Sequence, residues 1–469
     1  MFKNLRIQNF KGWQDTGLIK MAPITLFFGV NSSGKSSIGQ FLMMLKQTVE
    51  SSDRKAVFYP GGKNSAVQLG SFKDMVFQRE LQNKIIFEYQ WQLPERIRLK
   101  NQLGGGRFSG NLLLFNAKVG LRDEDQNSLV VDLLNYSLFE EKNNKSKEIF
   151  SIGMERVPEK SEFTVFSKGY ELRRKKGRAW SPGVPIRFYG FPEEVVAYYQ
   201  NADFVQELNF WHEKLFKKIF YLGPLRTRPE RLYFWSGIEP DSVGYSGENT
   251  IAALLAARGR KIGLVKPNAR RASPVKPFEE IIALKLKEMG LIKDFNVRPI
   301  SEQRQEYEVK IAINDIKYMV DLPDVGFGIS QVLPVLVQCF YAPPGSIIIM
   351  EQPEIHLHPA AQSALADVMI DVIKSKENGK ARNIQLIIET HSEHFLRRLQ
   401  RRIAEDVISK DQVSAYFADI TTIPPKLEEL QIDSYGNIRN WPKNFFGDEM
   451  GDITSQAKAA MRKKLGQKQ

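Results

Sequence analysis

The stretch ITLFFGVNSSGKSSIGQFLMMLKQTVE, residues 24–50, decides the fold. The continuous apolar run from Ile24 to Phe28 predicts a buried strand, and the apolar spacing after the glycine-containing segment predicts a helix. Between them the pattern G-x-x-x-x-G-K-[ST] is satisfied by Gly29, Gly34, Lys35 and Ser36. A glycine loop between a strand and a helix turns backbone N–H groups toward phosphates, so we expect a nucleoside triphosphate to bind here.

The loop predicts ATP and Mg²⁺ as the bound cofactors. Lys35 is expected to neutralise the outer phosphates, and the hydroxyl of Ser36 is expected to coordinate Mg²⁺. The residues that we expect to contact the nucleotide from this loop are Gly29, Asn31, Ser32, Ser33, Gly34, Lys35, Ser36 and Ser37.

A second catalytic element follows the apolar run GSIIIM, which ends at Glu351. An acid at the end of a buried strand is the expected partner of the Mg²⁺ shell. Gln352 follows it, where ABC-type sites usually have a glutamate that polarises the attacking water, and an amide cannot accept a proton. Glu354 could act as the base instead, or Gln352 could only orient the water while hydrolysis runs slowly. Glu354 could also simply complement the dipole of the helix after it. The sequence leaves these interpretations open.

His391 follows a second buried run, IQLIIET, and could contact the γ-phosphate and the attacking water. His356, His358 and His394 lie nearby in sequence, so a zinc site is an alternative. We favour the nucleotide site for His391 and structural roles for the other three. The catalytic candidates are therefore Glu351, Gln352, Glu354 and His391.

The segment GFGISQ, residues 326–331, precedes an apolar helical pattern. Its glycine turn could present Ser330 and backbone N–H groups to a phosphate, or it could be an ordinary turn before a core helix. ABC-type enzymes place their signature motif just before the strand that ends in the acid, and the similar position of this segment before Glu351 favours the phosphate interpretation. The residues expected to contact nucleotide from this segment are Gly326, Gly328, Ser330 and Gln331.

The remaining patterns indicate an α/β protein. Alternating runs from 68 to 175 predict mostly antiparallel strands. The patterns of residues 192–220 and 277–289 predict helices, and the basic stretch 258–276 is predicted to be an exposed loop. The two buried runs that end in Glu351 and before His391 flank a predicted helix, which indicates a largely parallel sheet. The segment 307–322 is typical of a hairpin.

Composition narrows the function classes. The chain has 469 residues, one cysteine (Cys339), and a net charge of +13 from 67 Lys and Arg against 54 Asp and Glu. One cysteine excludes a disulfide within the chain and fits a reducing cytoplasm, where we expect the protein to be. No apolar run is long enough to span a membrane, so we expect no membrane partner. The positive charge makes DNA a candidate partner.

Together, LRIQNFKGW, GVNSSGKSS, GFGISQVLP, IIIMEQPEIHLHP and ETHSEHFL resemble the AAA-type ABC ATPases related to RecF and to the overcoming-lysogenization-defect (OLD) family. GPLRTRPERLYF and VGYSGENTIAALL are similar to the middle region of that family, and GNIRNWPKNFFGD resembles a small C-terminal module found on such ATPases. The resemblance implies an ABC-type P-loop NTPase head with a mixed and parallel sheet, an antiparallel β-rich lobe and a helical insertion.

The implied segments run in order along the chain. They are the N-terminal half of the head (1–70), the β-rich lobe (71–190), a helical and basic-loop insertion (191–300), the C-terminal half of the head (301–410) and a small C-terminal module with a basic tail (411–469). The resemblance also implies that Lys35, Ser36, Glu351 and His391 of one subunit oppose Gly328 and Ser330 of another. The protein would then be a homodimer or a higher homo-oligomer.

Relatives with this layout occur in anti-phage defence, where the ATPase pairs with a separate effector or nuclease, as in Septu-type systems. OLD nucleases carry a Toprim domain after the head, but no convincing DxD cluster follows His391 here, so we expect the nuclease to be a separate subunit. The alternatives are a RecF-like DNA repair clamp, a scaffold that binds ATP without hydrolysis, and, as the weakest, a transporter subunit. The candidate DNA contacts are Arg173, Arg174, Lys175, Lys176, Arg178 and Trp180, and Arg258, Arg260, Lys261, Lys266, Arg270 and Arg271.

Overall fold

The computed structural model describes residues 1–100, 107–122, 125–143, 145–157, 162–176, 182–265, 275–301, 304–313, 318–442, 445–446 and 449–466. The strands are β1 (Phe2–Phe10), β2 (Trp13–Asp15), β3 (Ile19–Lys20), β4 (Ile24–Gly29), β5 (Ile85–Lys100), β6 (Arg107–Arg122), β7 (Asp125–Lys142), β8 (Lys145–Val157), β9 (Glu162–Lys168), β10 (Ile219–Leu222), β11 (Tyr233–Phe234), β12 (Lys261–Gly263), β13 (Val275–Pro277), β14 (Asp294–Pro299), β15 (Glu306–Ala312), β16 (Val320–Asp321), β17 (Ile347–Glu351), β18 (Lys376–Glu377), β19 (Lys380–Ala381), β20 (Gln385–Glu389), β21 (Val413–Asp419) and β22 (Lys426–Glu429). The helices are α1 (Lys35–Glu50), α2 (Phe72–Met75), α3 (Glu193–Tyr198), α4 (Phe204–Lys217), α5 (Thr250–Ala256), α6 (Phe278–Glu288), α7 (Phe327–Tyr341), α8 (Pro359–Lys374), α9 (Glu393–Ala404) and α10 (Glu449–Gly466).

A six-stranded sheet forms the centre of the head, with the strand order β10-β17-β20-β4-β21-β22. The pairs β10–β17, β17–β20, β20–β4 and β4–β21 are parallel, and only the edge strand β22 runs antiparallel to its neighbour. The parallel arrangement predicted from the two buried runs is confirmed. Because parallel strands end at the same edge, the residues after β4, β17 and β20 meet there.

The two faces of this sheet pack against different layers, because successive side chains of a strand point to opposite faces. Phe27 of β4 belongs to a core cluster with helix α1 and the β-rich lobe, whereas Leu26 and Phe28 belong to a second cluster with α5 to α9. The head is therefore a three-layer α/β structure, consistent with the predicted fold class.

The β-rich lobe is an eight-stranded antiparallel sheet with the order β2-β1-β5-β6-β7-β8-β9, in which β3 pairs with β1. The antiparallel strands predicted from 68 to 175 are confirmed. Strands β1 to β3 come from the first seventy residues, so this sheet joins the N-terminal segment to the lobe. The antiparallel pairing of β15 with β16 confirms the predicted hairpin.

Two sequence-based assignments of secondary structure need correction. Residues 219–220 were predicted as the end of a helix, but they begin β10, an edge strand of the central sheet. The predicted loop 258–276 contains β12 and β13, which pair with each other; residues 266–274 lie outside the described part of the chain. Strand β10, within segment 191–300, and strand β21, within segment 411–469, both belong to the central sheet. Among the described residues, no helix is long and apolar enough to cross a membrane.

Candidate functional site

The glycine loop lies between β4 and α1. It needs Gly29 and Gly34 because both have a positive φ and because a Cβ at either position would come close to a neighbouring residue. Gly29 has a φ of 145°, and a Cβ there would lie 2.8 Å from Ser33 Oγ and 2.9 Å from the carbonyl of Ala418. Gly34 has a φ of 88°, and a Cβ there would lie 3.3 Å from the ring of Trp13. Other L-residues rarely adopt these conformations. The loop is therefore held in one curved shape against its neighbours.

Lys35 begins α1 and turns its ammonium group back into this loop. Its Nζ donates to the carbonyls of Val30 at 2.7 Å and Gly29 at 3.1 Å, and the side chain is buried. Burial lowers the pKa of Lys35, while Glu389 and Glu351 act in the opposite direction. A buried ammonium bonded mainly to backbone carbonyls can exchange these partners for phosphate oxygens.

Two carboxylates stand side by side at the carboxyl edge of the sheet. Glu351 ends β17 and Glu389 ends β20, and the two residues are paired in the parallel register. Glu389 Oε1 lies 3.9 Å from Lys35 Nζ. Burial raises the pKa of Glu389, while Ser36 and Lys35 act in the opposite direction. Burial raises the pKa of Glu351 to about 7, and the charge of Glu389 adds to this rise. The sequence analysis missed Glu389, although an acid at the end of a buried strand is the same signal that identified Glu351.

Tyr221 and Arg226 complete the surroundings of Glu351, and the sequence analysis gave neither a role. Tyr221 on the edge strand β10 donates a 2.7 Å hydrogen bond to Glu351 Oε1. Arg226 donates to the carbonyls of Glu351 at 3.1 Å and Gln352 at 3.2 Å. Arg226 belongs to the segment GPLRTRPERLYF. The similarity of this segment to the middle region of the family was the one sequence feature that could have indicated a role for Arg226. Both side chains fix the position where β17 ends.

Gln352 and Glu354 follow β17 in a turn. Gln352 has a φ of 44°, and its N–H donates to the carbonyl of Glu389 at 2.8 Å. Glu354 Oε1 accepts hydrogen bonds from Thr390 Oγ1 at 2.7 Å and from the N–H of His391 at 2.8 Å. Helix α8 begins only at Pro359, so the carboxylate of Glu354 supports the turn after β20 and not the helix terminus considered as an alternative.

His391 lies directly after β20, half-buried and close to this turn. Burial lowers its pKa, and the charge of Lys35 lowers it further. In the described part of the chain, three buried polar atoms of the acids and the histidine at this edge have no hydrogen-bond partner: Glu354 Oε2, Glu389 Oε2 and His391 Nε2. Such atoms are costly unless something polar binds them. A triphosphate with Mg²⁺ and water fits this set of atoms, because it supplies both acceptors and donors.

The other histidines do not join His391. His358 caps α8, where its Nδ1 accepts from the N–H of Ala360 at 3.3 Å. His356 and His394 are exposed, and the His356 ring lies 6.3 Å from that of Phe327. Within the described ranges, no group of three or more His, Cys, Asp or Glu residues is arranged to hold a metal ion. The structure therefore gives no support to the zinc alternative.

The segment Gly326–Gln331 differs from the predicted turn. Helix α7 begins at Phe327, so Gly328 and Ser330 lie in its first turn, and Ser330 Oγ donates to the carbonyl of Phe327 at 2.9 Å. A Cβ at Gly328 would lie 3.0 Å from the carbonyl of His356. No hydrogen bond in the described part of the chain joins Gly326–Gln331 to residues 29–37. Within one chain, hydrogen bonds therefore do not join the two segments that are predicted to bind phosphate.

The two basic clusters differ in how their charges are used. Arg173, Arg174, Lys175 and Lys176 are exposed. In the second cluster, Arg258 pairs with Glu279 and Arg260 pairs with Glu377, so both cations have acidic partners within the chain. Outside the described residues lie Arg178, Trp180, Lys266, Arg270 and Arg271.

A strand, a glycine loop with a buried lysine, and acids at the ends of neighbouring parallel strands define the head as a P-loop NTPase. The family described as "AAA domain, putative AbiEii toxin, Type IV TA system" matches residues 132–397, which is more than half of the chain, and the chain belongs to this family. The AAA ATPase domain family matches residues 1–175, and a family described as a protein of unknown function (DUF3696) matches residues 408–456. The chain is thus an ATPase of the AAA type.

Three solved structures are similar over most of this chain. The Smc head bound to the C-winged helix domain of ScpA has 10% identity over 92% of this chain and 98% of that chain, with a TM-score of 0.41. The SMC head domain from Thermotoga maritima has 9% identity over 92% and 99%, with a TM-score of 0.37. The Smc head with ScpA derived from Pyrococcus furiosus has 10% identity over 92% and 96%, with a TM-score of 0.41. A comparison with curated proteins gives no match.

Proposed function

We propose that this chain binds ATP with Mg²⁺ at the carboxyl edge of the head sheet, hydrolyses it when two chains associate, and thereby controls a separate effector, a nuclease, in anti-phage defence. The observation that carries the proposal is the convergence of Lys35, Glu351 and His391 on one edge, together with three buried polar atoms that lack partners.

Each residue has a proposed part in the reaction. The N–H groups of the loop and Lys35 hold the phosphates, because they offer donors in a buried setting. Ser36, Glu351 and Glu389 would hold Mg²⁺, which neutralises phosphate charge when it is bound. Three groups lie where a water could be positioned: the amide of Gln352, the carboxylate of Glu354 and the imidazole of His391.

The proposed role of Glu354 as the general base can be tested with two variants. Phosphate release is measured for the wild type, Glu354→Gln and Glu351→Gln. Glu351→Gln removes charge from the proposed metal site and is expected to abolish release. Loss in Glu354→Gln with retained ATP binding supports Glu354 as the base, whereas an unchanged rate assigns it only the support of the turn that holds His391.

Association of two chains is supported by the finding that, in the described part of the chain, no hydrogen bond joins Gly326–Gln331 to the loop of the same chain. If Ser330 of one chain completes the site of another, Lys35→Ala and Ser330→Arg chains should be inactive alone and active when mixed. Half of the random dimers would then contain one intact site, so the mixture should recover about one quarter of the wild-type rate. No recovery at any protein concentration would contradict the shared site.

Control of an effector is supported by the ATP site and by the family description, which includes a toxin–antitoxin system. Cells that carry the gene with its neighbouring genes are challenged with phages. We expect protection with the wild type, loss with Lys35→Ala, and equal loss when a neighbouring nuclease gene is inactivated. Protection by the Lys35→Ala chain would disconnect ATP from defence.

Two other functions have specific support. A scaffold that binds ATP without hydrolysis is favoured by Gln352, and it predicts nucleotide binding with no phosphate release by the wild type.

A RecF-like DNA clamp is favoured by the exposed cluster Arg173–Lys176, and it predicts tight DNA binding that weakens steeply with salt. Neutralising this cluster should remove DNA binding if the clamp is correct.

A further inference from the structure

A cavity of about 390 Å³ lies at the opposite edge of the head sheet from the nucleotide site. Lys218 precedes β10, Gly345 precedes β17 and Asn383 lies shortly before β20, so the cavity opens at the amino ends of three neighbouring parallel strands. Glu351 and Glu389 end two of these same strands. The full length of the strands therefore separates the two sites.

The charges around this cavity have one sign. Lys3, Lys214 and Lys218 line it, and no acidic residue lines it in the described part of the chain. Lys3 has one distant partner, Glu141 at 3.8 Å. Lys218 donates to the carbonyl of Pro344 at 3.1 Å. Burial lowers the pKa of Lys218, and the charge of Lys214 lowers it further.

The helix dipole does not account for this set of lysines. Cations in the last turn of α4 complement its carboxyl end, which explains Lys214 and Lys217 in part. However, Lys3 comes from β1 and not from this helix. Three lysine ammonium groups thus line one space without a carboxylate among its lining residues in the described part of the chain, and an anion there would relieve their mutual repulsion.

The walls of the cavity are aromatic and apolar. Trp91, Trp211 and Leu215 contribute to it, together with Leu93 and Pro94. Lys214 Nζ lies 4.5 Å from the centre of the Trp211 ring, so its ammonium group is held next to an indole. A volume of this size suits a small organic ligand, since such sites usually span about 300–1,000 Å³.

We propose that this cavity binds an organic phosphate of about the size of a nucleoside monophosphate, with its phosphate held by Lys3, Lys214 and Lys218 and its ring placed against the apolar wall. The site is separate from the ATP site, and its occupancy does not depend on the proposed hydrolysis. Because Lys218 leads into the strand that carries Tyr221, a bound ligand lies at the base of the strands whose far ends form the ATP site.

The test uses the full chain with its ATP site saturated by a non-hydrolysable ATP analogue and Mg²⁺. Binding of adenosine monophosphate and of inorganic phosphate is measured by titration calorimetry. We expect one adenosine monophosphate per chain, weaker binding of inorganic phosphate, and at least about 10-fold weaker binding of the nucleotide to the Lys214→Gln/Lys218→Gln double variant.

Lys217→Gln is the matched control, because Lys217 is exposed at the same helix end but lines a different groove. It should bind as the wild type does, and melting curves of all variants should agree. Absence of nucleotide binding, or equal binding by the double variant, would overturn the proposal. Equal affinity for inorganic phosphate would overturn the organic ligand that we assign to the cavity.

Discussion

Two buried polar clusters in this molecule differ in how completely their hydrogen bonds are satisfied. Where helix α4 packs on the β-rich lobe, the ring of His212 is fully buried, and both of its nitrogens are engaged, at 2.8 Å each, by the hydroxyls of Tyr89 and Tyr136. At the carboxyl edge of the head sheet, Glu354, Glu389 and His391 each keep one buried atom without a partner in the described part of the chain. Only the second cluster has capacity for a ligand.

The difference separates structure from function in chemical terms. Tyr136 donates to the carbonyl of Tyr189, so its hydroxyl accepts from Nδ1–H of His212, and Nε2 accepts from Tyr89. This closed network holds a neutral histidine, and burial lowers the pKa of His212 well below its usual range. Satisfied networks stabilise a core, whereas unsatisfied buried groups cost stability and remain where binding requires them.

The largest effect that tests this comparison is expected at Lys35. Lys35→Ala should lower ATP hydrolysis by about 10²- to 10³-fold, because the variant loses a cation at the phosphates. The melting temperature without nucleotide should stay the same or rise, since a buried ammonium group with a lowered pKa is removed. Phosphate release and thermal melting measure the two quantities.

The control for Lys35→Ala is Lys73→Ala, because Lys73 is exposed on the short helix α2, outside both clusters. Neither activity nor melting should change in that variant. A large fall in melting temperature for Lys35→Ala would show that the nucleotide edge depends on this lysine for its structure.

The second effect concerns Gln352 and its left-handed backbone. Gln352→Glu should raise phosphate release by about 10²-fold, the lower end of what a general base contributes, if hydrolysis is limited by the missing carboxylate. The steady-state rate of both proteins is measured at saturating ATP. The control is Asn31→Asp, which adds a carboxylate in the glycine loop and not at position 352. It should not accelerate the reaction. An unchanged rate for Gln352→Glu would assign the base to another residue.

The third effect should occur in the other cluster and leave the active site intact. His212→Phe keeps a ring that can stack on Tyr189, 4.4 Å away, but it leaves the buried hydroxyl of Tyr89 without its partner. We expect a loss of about 1–3 kcal/mol in the free energy of unfolding and an unchanged turnover of the folded protein. Phe210→Ala, on an exposed position of the same helix, should cost much less. Loss of turnover in a folded His212→Phe protein would erase the distinction between the clusters.

Local patterns made the head predictable. The loop from Gly29 to Ser36, the strands that end in Glu351 and before His391, and the helix after Gly326 all come from contiguous residues with a known spacing. Glu389 was missed because its neighbour His391 drew the functional interpretation, although the same strand pattern ended in this acid. Local sequence thus gives the principal residues of the site but not the set that completes it.

The rest depended on contacts between distant segments. Tyr221 meets Glu351 across 130 positions, and the carboxylate of Glu354 meets Thr390 across 36. The four-residue strand β10 and the strand β21 pair with distant strands, and nothing in a short apolar run states which neighbour it will find. Corrections were therefore confined to the edge strand β10, the pair β12–β13 and the start of α7.

The smallest effect is a pH dependence that distinguishes the two clusters by sign. His212 has a pKa below that of an unfolded histidine. Below about pH 6.5 the unfolded chain therefore binds a proton at this residue that the folded chain does not bind, and the free energy of unfolding decreases as the pH is lowered. Glu351, Glu354 and Glu389 have raised pKa values, so the folded chain binds their protons first and gains stability as pH falls.

Replacing His212 by Gln keeps a hydrogen-bonding side chain and removes the titration. The difference in unfolding free energy between wild type and His212→Gln should therefore shrink or change sign toward acid, by at most about 1.4 kcal/mol per pH unit below about pH 6.5. Denaturant unfolding at several pH values measures this difference, in which the contributions of the three carboxyls cancel. If the difference in unfolding free energy stays constant with pH, His212 accepts a proton while it is buried. Its hydrogen bonds with Tyr89 and Tyr136 would then not form a closed network around a neutral histidine.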